Sequence, residues 1–143
     1  MRVQEAIVRQ LQQTTTAAYA IAGLRTYWAI TAKDPVLPFI RVRKSGHEPL
    51  LQGFKSRRLP ANTTIEIVSY AKSQDAAADL AEAIATDLIG FTGLMPNTSP
   101  VTAGAIYVSQ VDPGNEEDLV SEDAVALNIF AESREYTVRY DQR

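Results

Sequence analysis

The chain has no cysteine and a single histidine, His47, among its 143 residues. The first absence excludes a disulfide-stapled scaffold, a thiolate zinc site and a cysteine nucleophile. The second removes multi-histidine metal centres and most histidine-based triads. No run approaches the ~20 apolar residues that span a bilayer. The opening MRVQEAIVRQLQQ has no uninterrupted apolar stretch of the kind a signal peptide needs. The expectation is a protein of a cytosol-like compartment with no membrane contact. Charge of one sign is lacking too. Lys and Arg number 14 against 17 Asp and Glu, a net of −3, which does not suggest a dedicated nucleic-acid binder. The signatures G-x-x-x-x-G-K-[ST], G-x-G-x-x-G, H-E-x-x-H and G-x-S-x-G are missing from the sequence.

What is present is ordinary for one soluble globular domain over 1–143: 45% hydrophobic and 22% charged residues. Val3, Ile7, Leu11 and Ala18 recur at helical spacing and predict one amphipathic helix over 3–19. Leu24–Ile30 is aromatic and β-branched and reads as a strand. Pro38 opens a second strand, Phe39–Arg43, with Ile40 and Val42 on one face and Phe39, Arg41 and Arg43 on the other. Residues 44–61 carry two glycines, two prolines and four Lys or Arg, and read as a long basic loop. Thr63–Ala71 is a third strand. Residues 73–90 predict a second helix, with Ser73 as N-cap, a buried stripe of Ala77, Leu80, Ala81, Ile84 and Leu88, and Gly90 as the stop. A loop over 92–103, a strand over 105–111, an acidic turn over 112–123 and a long strand or strand pair over 124–140 complete the chain.

This order implies an α+β fold: a small mixed or antiparallel sheet with two helices packed on one face. Leu11, Ile65, Ile67, Leu80, Ile84, Leu88 and Leu127 are the expected core. The opposite face, with Arg41, Arg43, Glu66 and Tyr70, is too polar for a second core and is expected to meet solvent or a partner.

Catalytic chemistry finds little support. The carboxylate pairs Glu116/Glu117 and Glu122/Asp123 sit among like charges with no apolar pocket to raise a pKa, so they read as a solvated acidic hairpin. A calcium site in DPGNEED lacks the EF-hand spacing. His47 reads as a loop histidine, and Tyr27 and Trp28 as core and interface residues rather than base-stacking ones. No catalytic, cofactor-binding or metal-binding residue is expected, and no enzyme activity. Charge placement says more. Arg41, Arg43, Lys44, Lys55, Arg57 and Arg58 fall in one short stretch with one acid, Glu48. Asp112, Glu116, Glu117, Asp118, Glu122 and Asp123 fall in another with no base. Such segregation makes a surface complementary to itself head to tail.

The order of elements, with Gly23-Leu24-Arg25-Thr26-Tyr27, Leu37-Pro38-Phe39-Ile40, the strand ending Ser69-Tyr70 and the helix from Ala76, resembles the tail completion and tail terminator proteins of long-tailed bacteriophages. The first piece is similar to that family's G-x-R-V-Y step and the second to its L-P-Y-I strand start. The resemblance runs over about residues 3–138; the stretches 44–61 and 112–123 are elaborations on it. It implies a structural virion protein of the tail or neck, assembled in the host cytoplasm. Its members form a hexameric ring that caps the head-proximal end of the tail tube, ends tube growth and joins the tail to the head connector. The implied partners are further copies of the chain, the tail tube protein and a head–tail connector or stopper protein, with DNA passing through the bore without specific recognition. Arg41, Arg43, Lys44, Lys55, Arg57 and Arg58 on one side and Glu116, Glu117, Asp118, Glu122 and Asp123 on the other are the expected subunit contacts. Alternatives are another neck ring, an adaptor or stopper, and a nucleic-acid-binding module that uses the basic loop; steep loss of affinity with salt would mark the last.

Overall fold

The computed structural model describes residues 2–28, 36–49, 60–119 and 129–141, with the backbone alone at 47–49 and 60. The expected first helix is two. Helix α1 spans Val3–Leu11 and α2 spans Ala17–Ala22. The break follows from Thr16. Its hydroxyl donates to the Leu11 carbonyl (3.1 Å) and accepts from the Tyr19 amide (3.3 Å), so it closes one helix and caps the next. The Asp87 carboxylate accepts from the Ala17 and Ala18 amides, both at 2.9 Å, at the positive end of α2. Gly23 ends α2 with φ 59°, a conformation that suits glycine.

The strands are β1 (Thr26–Trp28), β2 (Phe39–Pro49), β3 (Pro60–Ala71), β4 (Gly93–Met95), β5 (Ile106–Leu119) and β6 (Phe130–Asp141), with α3 (Gln74–Leu88) between β3 and β4. They form one curled mixed sheet in the order β1-β2-β3-β6-β5-β4. Every pair is antiparallel except β1–β2, which is parallel. β1 and β2, though consecutive in the chain, therefore do not form a hairpin. The two strand starts are held side by side instead: the Ile40 amide donates to the Arg25 carbonyl (2.9 Å) and the Arg25 Nε to the Pro38 carbonyl (2.8 Å).

The stretches 44–61 and 112–123 are not, where described, a loop and a turn. β2 runs through Lys44 to Pro49, β3 begins at Pro60, and β5 runs through Asp112–Leu119. The segment read as a loop over 92–103 contains β4, three residues long. Ser73 caps α3 as expected, accepting from the Ala76 amide at 3.1 Å.

The α1, α2 and α3 side chains meet one face of the sheet. Val3, Ile7, Leu11, Ala18, Ala22, Leu80, Ile84 and Leu88 pack there with Ile40, Val42, Ile65, Ile67, Val108, Tyr136 and Val138. The expected core residues are buried, apart from Leu127, which lies outside the described residues. The other face is less open than its polarity suggests. Phe39 and Val68 are buried on it, and Phe39 stacks on Tyr70 at 4.5 Å with Tyr27 edge-on at 6.1 Å. Among the described residues no helix is long and apolar enough to cross a membrane.

Candidate functional site

Where described, the charged residues picked from the sequence lie on two different flanks of the sheet. Arg41, Arg43 and Lys44 are on β2. Arg41 is half-buried between Tyr27 and Val68 in register, and its Nε has no hydrogen-bond partner. Arg43 pairs with Glu66 on β3 (3.1 Å), and Lys44 is exposed. Lys55, Arg57 and Arg58 lie outside the described residues, and of His47 only the backbone is described, as part of β2. Glu116, Glu117 and Asp118 are exposed on β5; Glu122 and Asp123 lie outside the described residues. Trp28 lies under the Arg2 guanidinium, 5.3 Å from the ring centre.

The register fixes how these flanks relate. Arg41 lies level with Val68, Ser133 and Glu117 across the sheet; Lys44 lies level with Ile65, Tyr136 and Pro113. β2 ends at Pro49 beside Ala61, Tyr140 and Val108, whereas β5 ends at Leu119 beside Ala131 and Tyr70. Pro49 and Leu119, the last residues of β2 and β5, thus stand at opposite ends of the strands. At ~3.3 Å per residue they are roughly 30–35 Å apart along the strand direction. Within one chain β3 and β6 separate the candidate bases described on β2 from the candidate acids described on β5.

One cation is drawn inward, and the sequence reading did not single it out. Arg134 on β6 is buried, with Nε on Glu132 (3.1 Å), Nη2 on Glu82 of α3 (2.7 Å) and Nη1 3.8 Å from Glu116. Asp118 accepts from Gln74 at the start of α3 (3.1 Å). Two of the acids expected to meet a partner are therefore partly engaged inside the subunit. The signal was in the alternation: Glu132 and Arg134 continue the Tyr136–Val138–Tyr140 pattern backward by twos, and strand geometry puts Glu132, Arg134 and Tyr136 on one face. A cavity of about 10 Å³, the space of one water, is lined by Ile89, Pro113, Glu116, Arg134 and Tyr136.

Burial sets the titration of this cluster. It pushes the Glu132 carboxyl above its ordinary value, against the opposing pull of Arg134. Burial likewise pushes the Tyr136 phenol up to about 12. Burial works against the Arg134 charge, but the bond to Glu82 and the fields of Glu132 and Glu116 outweigh it, and its pKa rises. The signs are the same for both acids. A folded-state value above the unfolded one means the folded chain holds the proton more tightly. The Glu132 contribution is thus full below about pH 4.5 and lost as pH climbs through its folded value. The Tyr136 contribution is full below about pH 10 and lost by about pH 12. Ultraviolet titration should show one tyrosine ionising about two units late, and Tyr136→Phe should abolish that phase; a Tyr136→Phe titration identical to the parent's would contradict this placement.

No protein-family model matches the chain. No curated protein sequence matches it. Among solved structures it is similar to a chain from the virion of a native gene transfer agent (GTA) particle, with a TM-score of 0.67 and 14% identity over 97% of this chain and 94% of that one. At that identity the likeness is one of fold, and it extends over nearly the whole of both chains.

Proposed function

We propose that the chain is a structural subunit of a phage-type virion. On this reading it forms a ring, six-fold as the family resemblance implies, at the head-proximal end of a tail tube. It ends tube growth, meets a head–tail connector or stopper on its other side, lets DNA through without reading it, and turns over no substrate. The observation that carries the reading is the fold it shares end to end with a GTA virion chain. A second observation supports it. The two sequence pieces that resemble tail terminators, Gly23–Tyr27 and Leu37–Ile40, are joined by the Arg25–Pro38 and Ile40–Arg25 hydrogen bonds, so they form one structural unit.

The test is the mass of the purified chain by light scattering, with negative-stain images of the same sample. The expected result is a six-fold ring. A chain that stays monomeric at every concentration, or a two-fold dimer, would rule the ring out. A hydrolytic activity lost on His47→Ala would rule out the non-enzymatic part.

A further inference from the structure

The sheet has two flanks that its own strands only partly close. Beside β2, β1 covers Ile40–Val42, and among the described residues Arg43–Pro49 have no strand outside them. Beside β5, β4 covers Ile106–Val108, and among the described residues no strand lies outside Ser109–Leu119. A bare flank offers a row of backbone N–H and C=O groups to a further strand. On β1 the Thr26 groups are already engaged, the carbonyl by Gln12 Nε2 (3.2 Å) and the amide by the Leu24 carbonyl (2.9 Å), so the free row on that side is chiefly Arg43–Pro49 of β2. The side chains of Asp112–Leu119 are exposed on both faces of β5, so that flank is open.

The two flanks differ in charge. Arg25, Arg41, Arg43 and Lys44 stand on or beside β1 and β2 against one acid on β2, Glu48, and Arg43 is bound to Glu66. Asp112, Glu116, Glu117 and Asp118 stand on bare β5, which carries no base. The flanks also match in outline. β1 projects at the level of Glu117, where β5 is bare; β4 projects at the level of Pro49, where β2 is bare.

We propose that a second copy of this chain seats its bare β5 flank against the β1–β2 flank of the first, so that the sheet continues from copy to copy. The proposal rests on the ring reading and names the contact that closes the ring. Strand direction supports it. β1 runs with β2, and each step from β2 through β3 and β6 to β5 reverses direction, so β5 of one copy meets β1 of the next antiparallel. Copies turned about an axis along the strands meet at equal height. Tyr27, level with Arg41, then faces Glu117 on the same side of the sheet, and the acids meet the bases. The contact is head to tail, and it closes when the rotation permits. The bulges in β5 after Val108 and Pro113, with the missing amide of Pro113, leave Glu116–Leu119 as its regular stretch and make the rest a poor template for a foreign strand.

The lack of cysteine gives a clean test. Tyr27→Cys is combined in turn with Gln110→Cys, Asp112→Cys, Glu117→Cys and Leu119→Cys, all on the Tyr27 side of the sheet, so the panel covers a stagger between copies. Within one chain β2, β3 and β6 separate β1 from β5, beyond the ~7 Å reach of a disulfide. After mild oxidation of the concentrated full-length protein, at least one pair should give a reducible ladder of multimers, strongest with Glu117→Cys. Each single variant should give none beyond a trace of dimer. Rings seen by mass and by stain with no ladder from any pair would overturn this contact and leave the ring standing. Efficient dimers from Tyr27→Cys alone would replace it with a two-fold contact. A monomer throughout, with no ladder, would end both readings.

Discussion

Replacing Arg134 with methionine should destabilise the fold by about 3–5 kcal/mol, the cost of removing one member of a buried ion pair. The size depends on which partner is left behind. Glu82 and Glu116 are mostly exposed, at 70% and 59% of the side chain, and return to water cheaply. Glu132 is 11% exposed, as is Arg134, and would stay in the sheet interior without its cation. The penalty therefore sits on Glu132, whose carboxyl is already pushed upward with the cation in place. The variant should recover stability in acid, where Glu132 takes a proton. Pairing Arg134→Met with Glu132→Leu should restore most of the loss at neutral pH, since apolar replacement of a whole buried pair is often neutral. Urea denaturation of the single and double variants reads this directly. A loss under ~1 kcal/mol for Arg134→Met would mean the cluster behaves as a surface one.

Ile84→Ala is the second large effect, about 2–5 kcal/mol. Ile84 is 1% exposed, in the α3 stripe with Leu80 and Leu88, and packs into the core that also holds Ile65, Ile67 and Val138. Truncation removes three methyl or methylene carbons and leaves a hole between a helix and a sheet that are both fixed by other contacts. For a domain this size each kcal/mol lowers the midpoint by about 2–4 °C, so a thermal melt resolves it easily. Thr86→Ala, about half a turn on and on the exposed side of α3, should stay within about 0.5 kcal/mol. Equal losses for the two variants would show that α3 is not docked as described.

Much of this fold was legible because one face of each central element is buried. In α3 the spacing of Leu80, Ile84 and Leu88, the Ser73 cap and the Gly90 stop agree, and the helix lies where they put it. In β3 the alternation of Ile65 and Ile67 with Thr64 and Glu66 is the alternation of core and outer face. The reading failed where that contrast vanishes. Residues 112–119 of β5 are exposed on both sides, so no period of two marks them, and their acids and Pro113 imitate a turn. Residues 44–49 of β2 lie past the end of β1, and their Gly and Pro imitate a loop for the same reason. The split between α1 and α2 turns on one hydroxyl, that of Thr16, which hydrophobic spacing does not weigh. The sequence segregated the candidate contact residues by sign of charge, and the structure puts the described ones on β2 and β5. The sequence could not show that Glu116 also turns toward Arg134, because that pairing joins β5, β6 and α3.

The central seam of the sheet has a consequence for how the chain reaches this state. β2–β3 and β5–β6 each join strands adjacent in sequence, while β3–β6 pairs Pro60–Ala71 with Phe130–Asp141 across the whole of α3, β4 and β5. Each hairpin closes over a short span and can form early. The seam must wait until the intervening residues are gathered, and closing a long loop carries its entropy before any contact rewards it. The order of closure expected from loop entropy is therefore hairpins first and central seam last. Until they meet, the β3 and β6 margins present unpaired backbone N–H and C=O groups, and are the surfaces at which one nascent chain meets another.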